Sequence, residues 1–261
     1  MNIVGIIPAR MASSRFPGKP LAKICGIPMI GHVYYRSKMS LILDEVYVAT
    51  CDEDIADYMR SIGGKVVMTA NTHERASDRA KEAMLKIEKT TGKKVDIPVM
   101  IQGDEPMLYP DMIEESVMPM MNDSAVEIVN LMSVIKSRGE QDDPNVVKVV
   151  VSLTNRAMYF SREPIPSRKK AKDEINNVYK QVPIIPFRRD FLIKYSELTP
   201  TPLEIIESVD MLRILEHGYS VKMVETKFET RGVDTPDDLK KVERSMSNDK
   251  IFAQYGGNGL K

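Results

Sequence analysis

Hydrophobic and polar residues alternate with two different periods in the first half of the chain. Apolar runs of strand length recur at Ile3–Ile7, Val46–Ala49, Lys65–Met68, Ile97–Ile101 and Val126–Val134. Stretches with a helical period separate them, at Pro28–Met39, Asp54–Ile62, Asp78–Glu88 and Asp111–Met121. Short buried runs separated by helices predict a parallel sheet built from βαβ units. We therefore expect an α/β fold, a Rossmann-like and mostly parallel sheet flanked by helices, whose ligands bind beyond the carboxyl ends of the strands.

The second half begins with a β-rich stretch. The runs Val146–Leu153 and Ala157–Ser161 are separated by Thr154-Asn155, which predicts a hairpin. We assign residues 126–185 to a β-rich insert in the α/β domain.

The last third of the chain predicts a return to the α/β pattern. A helical period covers Leu203–His217, and a strand is expected over Tyr219–Glu225. The final helix is expected to begin at Thr235, an N-cap residue followed by a proline. We interpret residues 249–261 as a flexible tail, which leaves a single α/β domain over residues 1–248.

Composition and charge exclude several function classes. The 261 residues are 43% hydrophobic and 28% charged, and the 37 basic and 37 acidic side chains give a net charge of zero. We expect no nucleic-acid or membrane partner, because a neutral chain has no general attraction for polyanions. Two cysteines and three histidines make a disulfide framework or a zinc site improbable. The first strand has no basic leader or membrane span, which predicts a cytoplasmic protein.

A basic loop follows the first strand. Residues 8–20 contain Arg10, Arg15 and Lys19, together with two serines and a glycine. Cations neutralise phosphate oxygens, and small residues let backbone N–H groups approach them, so the loop suits a triphosphate. It matches neither the P-loop nor the dinucleotide-binding pattern. The alternative is a solvated loop that only connects a strand to a helix.

Two carboxylates also stand at points where a ligand could bind. Asp104 follows the strand at Ile97–Ile101, and Asp234 follows a short apolar residue before the last helix. Mg²⁺ needs only one or two protein carboxylates when phosphate oxygens supply other ligands. The alternatives are a turn or helix-cap role for Asp104 and an N-cap role for Asp234. Taken with the basic loop, the two residues predict a site where a metal and a nucleoside triphosphate meet.

Several segments together resemble one enzyme family. They are IIPAR-MASSR-FPGKPL, VATCDEDIA, QGDEPM, PNVVKVV, MYFSREPIP, TPLE and GVDTPDDL. In this order, from Ile3 to about Val242, they resemble the 3-deoxy-D-manno-octulosonate (Kdo) cytidylyltransferases. The resemblance implies transfer of CMP from CTP to the anomeric hydroxyl of an acidic sugar, with Mg²⁺ as cofactor and release of pyrophosphate. It also implies a homodimer formed through the β-rich insert.

The resemblance also implies roles for individual residues. The nucleotide would be bound by Pro8, Ala9, Arg10, Ser13, Ser14, Arg15, Lys19, Arg79 and Gln102. The metal ligands would be Asp104 and Asp234, which with Arg10 and Lys19 form the catalytic set. The acceptor would meet Gln102, Arg162, Gln181, Glu204 and Asp210. For Arg162 an ion pair at a dimer interface is the alternative, and for the basic run at residues 168–172 a solvated loop is favoured over contact with the acceptor.

The chain departs from the family at two places. Residues 75–79 read Arg-Ala-Ser-Asp-Arg where the family has Ser-Gly-Thr, an acid and Arg at the turn that binds the base. Residues 181–188 lack the family's His, Gly and Tyr-Gly-Tyr, and Asp210-Met211 replaces a Glu-Gln pair. A site that loses hydrogen-bonding groups changes which ligand it accepts. We therefore expect an acceptor that differs from Kdo: an amino or deoxy variant, a nonulosonate-type acid or a phosphonate.

Two further functions stay open on the sequence alone. The altered base-binding turn leaves UTP or dTTP with a sugar 1-phosphate as an alternative pair of substrates. A non-catalytic ligand-binding homologue is the third possibility, which the retained basic and acidic set disfavours. Of the histidines, His32 and His217 are expected to pack or to lie at the surface, and His73 either shapes the base-binding turn or packs against it.

Overall fold

The computed structural model describes residues 1–12, 15–167, 178–229 and 231–257. The chain forms two compact units. The first contains Met1–Glu114 together with Thr230–Lys261, and the second contains Glu115–Glu229. The predicted β-rich insert thus lies entirely inside the second unit. No helix among the described residues is long and apolar enough to cross a bilayer.

The first unit alternates strands with helices, as the hydrophobic pattern predicts. Its elements are β1 (Ile3–Ala9), a 3₁₀ turn (Lys19–Leu21), β2 (Lys23–Ile24), β3 (Ile27–Pro28), α1 (Met29–Lys38), β4 (Glu45–Thr50), α2 (Glu53–Ser61), β5 (Lys65–Met68), α3 (Ala76–Thr91), β6 (Ile97–Ile101), the start of α4 (Pro110–Asn122), α9 (Pro236–Met246) and α10 (Phe252–Tyr255). The predicted ranges of β5 and β6 agree with the structure residue for residue.

A parallel sheet organises the first unit. Its strands lie side by side in the order β6-β1-β4-β5. Every residue of β1 and of β6 is buried, which explains why both read as continuous apolar runs rather than alternating ones. Gly5 has no room for a side chain, because an added Cβ would lie 2.9 Å from Leu43 Cδ1. The sequence-based prediction of a parallel α/β sheet is confirmed.

The second unit is built on a mixed sheet. Its elements are β7 (Val129–Val134), α5 (Arg138–Asp142), β8 (Lys148–Val151), β9 (Ala157–Ser161), β10 (Tyr179–Val182), β11 (Ile184–Pro186), α6 (Arg189–Glu197), α7 (Pro202–Glu207), α8 (Asp210–Glu216) and β12 (Lys222–Glu225). The sheet order is β12-β7-β10-β8-β9, in which β12 and β7 are parallel and the other pairs antiparallel. The predicted hairpin joins β8 to β9, and Asn155 at its turn adopts a positive φ of 54°, which asparagine tolerates.

Two sequence-based predictions differ from the structure in this unit. The run at Val126–Val134 contains β7, which belongs to the mixed sheet and not to the parallel sheet of the first half. The helix expected over Leu203–His217 is two helices, because Ser208 has φ 52° and ends α7 in a left-handed residue. Hydrophobic periodicity continues through such a break, so the pattern alone did not detect it.

The carboxyl-terminal region gives one confirmation and one correction. Thr235 caps α9, its side chain accepting a hydrogen bond from the Asp238 N–H, as predicted. The flexible tail is wrong for the part that the structure describes. Residues 249–257 contain α10, and Tyr255 has a solvent exposure of 0%. The glycine-rich composition of this segment gave no sign that the rings of Phe252 and Tyr255 pack against His32.

Candidate active site

The order of the parallel sheet creates a crevice at one edge. From β1 the chain moves through β4 to β5 on one side, and β6 lies on the other side of β1. Loops that leave the carboxyl ends of β1 and β6 therefore diverge, and such a switch point is where open α/β sheets bind ligands. Pro8 and Ala9 end β1 there, and Gln102 directly follows β6. The two motifs selected from the sequence thus share one edge of the sheet.

Four charged side chains meet at this crevice. The Nζ of Lys19 lies 2.8 Å from Oδ2 of Asp104 and 3.3 Å from Oδ1 of Asp234. The Nη2 of Arg15 lies 2.9 Å from the same oxygen of Asp234. Lys19 is largely covered, with 12% of its side chain exposed, while the side chains of Asp104 and Asp234 remain 33% and 26% exposed. The two carboxylates therefore share one cation and still face solvent.

The backbone of the basic loop explains how Lys19 reaches the carboxylates. Gly18 has φ +74°, a conformation that favours glycine. Its N–H donates to the carbonyl of Met11 at 3.1 Å, and the N–H of Lys19 donates to the carbonyl of Phe16 at 3.2 Å. These bonds close the loop and start the 3₁₀ turn at Lys19. The glycine thus converts a basic stretch into a loop that returns to the strand end.

Close packing of the backbone brings the two aspartates together. A Cβ added to Gly103 would lie 3.1 Å from the carbonyl oxygen of Pro8, so this glycine lets the end of β6 approach the end of β1. The N–H of Val233 donates to the carbonyl of Asp104 at 2.9 Å. This bond joins the two segments that carry Asp104 and Asp234, although these residues are far apart in sequence.

The structure decides between the roles that the sequence left open for the two aspartates, which were a turn, a helix cap or a ligand site. Thr235, and not Asp234, is the N-cap of α9, which leaves the carboxylate of Asp234 for Lys19 and Arg15. Asp104 lies in the turn after β6, as its alternative expected, but it does not cap α4, which begins at Pro110. Its carboxylate binds Lys19. Among the residues that the structure describes, no group of three or more His, Cys, Asp and Glu side chains could hold a metal ion.

The surroundings of Lys19 keep it positively charged. Burial acts against its charge, but the attraction and hydrogen bonds of Asp104, followed by those of Asp234, outweigh burial and raise its pKa above the ordinary value. The amine therefore carries a full charge across the physiological range of pH.

The remaining nucleotide-side residues have different environments. Arg10 is exposed, and its Nη1 donates to the carbonyl of His73 at 3.5 Å. Arg79 is buried in the first turn of α3, where Nη1 donates to the Thr69 hydroxyl and to the Ala70 carbonyl at 3.2 Å. Arg79 therefore holds the segment after β5. Two predicted residues, Ser13 and Ser14, lie outside the described residues, as does the basic run at 168–172.

Arg162, a candidate for the acceptor side, lies in the second unit, where its guanidinium donates to backbone carbonyls. Its Nε donates to the Glu207 carbonyl at 2.6 Å, Nη1 to the Pro144 carbonyl at 2.9 Å and Nη2 to the Ser208 carbonyl at 3.4 Å. The buried ammonium of Lys148 donates to the carbonyls of Asp143, Val146 and Arg162. These two cations hold several loops together.

The other acceptor-side candidates are also engaged within the second unit. Glu204 has an exposure of 0%, and its two oxygens bind Nε and Nη2 of Arg213 at 2.7 Å each. Gln181 donates to Oδ1 of Asn130 at 2.6 Å. Asp210 is half-buried at the first turn of α8. The structure does not show Glu204 presenting any surface to a ligand.

Sequence reasoning missed Asp52 and Glu207. Asp52 stands at the N-cap of α2 but makes no cap bond, and its Oδ2 accepts from the N–H of Met11 at 2.9 Å, which anchors the basic loop. Its position after β4 is the signal that could have identified it. Glu207 accepts bonds from the Arg162 N–H and from the hydroxyls of Ser161 and Tyr159. Burial acts to raise its pKa, but these bonds lower it below the ordinary value.

The three histidines have the environments that the sequence predicts. His32 is a fully buried packing residue, as expected. His217 is exposed and contacts the Thr199 carbonyl at 3.0 Å. His73 contacts Glu82, whose Oε2 also accepts from the Ala70 N–H at 2.9 Å. His73 thus belongs to the contacts that shape the segment before α3.

Comparison with known proteins agrees with this geometry. Residues 4–251 match the family model described as cytidylyltransferase. A 3-deoxy-manno-octulosonate cytidylyltransferase of Geobacter metallireducens is 44% identical over 260 residues, which cover 96% of this chain and 100% of the relative. The enzyme of the same name from Solibacter usitatus is 41% identical, with 99% of each chain covered.

Solved structures give the same result. A CMP:2-keto-3-deoxy-manno-octonic acid synthetase complexed with CTP superposes with a TM-score of 0.86 at 41% identity, over 95% of this chain and 99% of the other. A putative glucose-1-phosphate thymidylyltransferase from Bacillus anthracis has a TM-score of 0.65 at 18% identity, over 96% and 99% of the two chains, and shares the fold alone. The match over nearly the whole length, together with the charged crevice at the switch point, leads to one conclusion: the chain belongs to the cytidylyltransferase family.

Proposed function

We propose that this cytidylyltransferase transfers CMP from CTP to the anomeric hydroxyl of a 2-keto-3-deoxy sugar acid and releases pyrophosphate. The observation that carries the proposal is the convergence of Lys19, Asp104 and Asp234 on one point at the switch of the sheet. Relatives at 41–44% identity are named for this reaction with 3-deoxy-manno-octulosonate, and a similar solved structure is described as a complex with CTP.

The two aspartates fit a divalent cation. Their oxygens already lie within 3.3 Å of one positive centre, the ammonium of Lys19, and both side chains keep exposed surface. Carboxylate oxygens are ligands that Mg²⁺ prefers, and it commonly takes one or two of them together with phosphate oxygens. In this proposal Asp104 and Asp234 would hold Mg²⁺, which would supply neutralisation of phosphate charge.

The basic side chains bind and orient the triphosphate. Lys19, fully charged, lies at the start of the 3₁₀ turn and beside both carboxylates, where it is placed to neutralise phosphate oxygens. Arg15 is 48% exposed and contacts the outer side of Asp234, so its guanidinium is placed to exchange that contact for a phosphate. Positioned cations and a metal suffice for nucleotidyl transfer, since the acceptor hydroxyl is itself the nucleophile.

We further propose that two copies of the chain form a homodimer through the second unit. Among the described residues of this unit, six large apolar side chains are exposed, and the most exposed are Leu153 (106%), Met158 (62%), Ile205 (63%) and Ile206 (75%). Exposed apolar surface of this kind is typical of interaction sites, and a second copy is the commonest partner of a soluble enzyme. Light scattering gives the test: a monomeric mass at micromolar concentration contradicts the dimer.

Release of pyrophosphate is the direct test of the reaction. The purified chain is incubated with Mg²⁺, one nucleotide (CTP, UTP, dTTP or ATP) and one acceptor. The acceptors are Kdo, its amino and deoxy variants, a nonulosonate-type acid, a phosphonate and a sugar 1-phosphate. We expect release with CTP and a keto-deoxy acid and its loss in EDTA. Faster release with UTP or dTTP and a sugar 1-phosphate would contradict the cytidine assignment, and no release with any pair would contradict the enzyme.

A further inference from the structure

A buried polar network lies behind the candidate site, within the first unit. Helix α1 contributes His32 and Arg36, both with an exposure of 0%. Their partners are Tyr255, also fully buried, and Asp249, whose side chain is 5% exposed. Buried charged and polar groups are costly unless they are fully paired, so a network of this size needs a reason.

The hydrogen bonds of the network all run in one donor-to-acceptor direction, from Arg36 through Tyr255 and His32 to the carbonyl of Ile24. The Nε2 of His32 lies 2.8 Å from the carbonyl of Ile24, which can only accept, so Nε2 carries the proton. Nδ1 then accepts from the hydroxyl of Tyr255 at 2.8 Å, and the oxygen of Tyr255 accepts from Nε of Arg36 at 3.1 Å. Burial lowers the pKa of His32 to about 4, which agrees with a neutral ring.

Arg36 extends the network to two further segments. Its Nη2 lies 3.1 Å from Oδ1 of Asp249, and its Nη1 donates to the carbonyl of Leu108 at 3.2 Å. The same oxygen of Asp249 accepts from the N–H groups of Ile251 and Phe252 at 2.7 and 2.8 Å. One carboxylate therefore folds the carboxyl-terminal segment and pairs with the buried guanidinium.

Each segment that the network holds carries a residue of the candidate site. Ile24 follows Lys19 by way of the 3₁₀ turn, and Leu108 lies in the loop that begins with Asp104. Asp249 follows α9, which starts beside Asp234. A buried apolar cluster joins the same parts, since Ile24, Val233 and Met246 pack together with Phe252 against them. His32 and Arg36, on one helix, thus bind all three segments, through the carbonyls of Ile24 and Leu108 and through the side chains of Tyr255 and Asp249.

We propose that Tyr255 and Asp249 are positioning residues of the nucleotidyl-transfer site, acting through His32 and Arg36 to fix the segments that carry Lys19, Asp104 and Asp234. The inference rests on the function proposed above. The match to the family model ends at residue 251. Asp249 therefore lies inside the matched stretch, and Tyr255 lies beyond it. The segment interpreted from sequence as a tail becomes part of the scaffold of the site.

Tyr255→Phe tests the proposal, because it removes one hydroxyl and keeps the ring. It leaves Nδ1 of His32 and Nε of Arg36 without their shared partner. We expect kcat for pyrophosphate release to fall by about 10- to 100-fold, the effect of displacing reacting groups by a fraction of an ångström. KM for CTP should change less than about threefold, because the phosphate contacts of Arg10 and Arg15 stay.

Tyr34→Phe is the matched control. Tyr34 is a buried tyrosine on the same helix α1, and its hydroxyl is hydrogen-bonded to the backbone of Lys65 on β5, away from the site segments. This variant should lower Tm by a similar amount and leave kcat within about twofold. Equal kcat for the two variants, measured well below both Tm values, overturns the proposal.

A second variant keeps the test decisive if Tyr255→Phe does not fold. Asp249→Asn retains an acceptor for the N–H groups of Ile251 and Phe252 but removes the charge that pairs with Arg36. We expect a lower kcat with KM for CTP unchanged, and wild-type kcat overturns the proposal. Failure of the wild-type chain to release pyrophosphate contradicts the proposed function instead, so the two failures are distinguishable.

Discussion

The charged residues at the switch point of the first unit and those around Arg162 and Glu204 in the second unit use their hydrogen-bonding capacity in opposite ways. In the first unit, Lys19 is held by two carboxylates that stay a quarter to a third exposed, and Arg15 is half exposed. In the second unit, Arg162 and Lys148 donate to backbone carbonyls, and Glu204 is fully buried against Arg213. Charges that pair with one another at a surface can exchange partners for a ligand. Charges that bind backbone carbonyls of the same unit maintain the fold.

This difference revises how the sequence motifs are interpreted. The segments around Arg162 and Glu204 resemble the family as clearly as the basic loop does, yet their side chains hold loops and helices in place. A shared motif therefore identifies a family without assigning the role of each residue in it. Four experiments can break or sharpen the comparison.

The largest effect is expected for Asp104→Asn. The change keeps the shape of the side chain and removes the charge that would bind the metal. We expect kcat for pyrophosphate release to fall by about 10³-fold, the loss typical of removing one charge-stabilising group, with Tm nearly unchanged. Asp111→Asn, an exposed acid at the first turn of α4, is the control and should keep its activity. A normal rate in Asp104→Asn removes the metal assignment.

Glu204→Gln should act on stability rather than on the acceptor. Because it leaves Arg213 buried without its full counter-charge, we expect the free energy of unfolding to fall by about 3 kcal/mol. Urea unfolding measures the change, and Glu53→Gln, which breaks the exposed ion pair with Arg60, should produce no comparable loss. A stable Glu204→Gln chain with a raised KM for the acceptor would place Glu204 in the binding site after all.

Acid should destabilise the first unit through His32. Burial lowers the pKa of His32 to about 4 from 6.5, so the unfolded chain binds a proton first and stability falls as pH drops from about 6.5 towards 4. We expect a loss of about 2 kcal/mol between pH 7.5 and pH 5. Urea unfolding of wild type and His32→Gln at both pH values isolates the effect. The same pH slope in both proteins would contradict it.

Arg15→Gln should give the smallest effect and the cleanest contrast. Arg15 is half exposed, and exposed ion pairs stabilise a fold by less than about 1 kcal/mol. We expect an unchanged Tm and a KM for CTP raised about tenfold, the loss of one charge-assisted contact with phosphate. Arg162→Gln, in the second unit, should show the reverse, a lower Tm with KM for CTP unchanged. A fall in Tm for Arg15→Gln alone would invert the comparison.

The sequence predicted the parallel sheet and the charged residues at its edge because both depend on local patterns. Buried strands read as apolar runs, and β5 and β6 were located to the residue. Their position directly after a strand then indicated that the basic loop and Asp104 are candidates for ligand binding. The convergence of Asp234 on the same point was a hypothesis, since no local pattern encodes a contact between residues 215 positions apart.

What the sequence missed depends on tertiary contacts. Burial of Glu204 follows from its pairing with Arg213, and the helix break at Ser208 follows from one left-handed residue. Neither leaves a periodic signal. The packed end of the chain was missed for a related reason: its glycines are visible in the composition, whereas its bonds to His32 and Arg36 come from a helix more than 200 residues earlier.

The first unit is formed by two separate stretches of the chain, and this has a consequence for its synthesis on the ribosome. Its strands are made first, but its last two helices follow only after all of Glu115–Glu229. A nascent chain carries Lys19 and Asp104 long before Asp234 emerges. The second unit can fold while the first still lacks its closing helices, because domains fold as units in the order of their emergence. The cluster of Lys19, Asp104 and Asp234 is therefore completed late in translation.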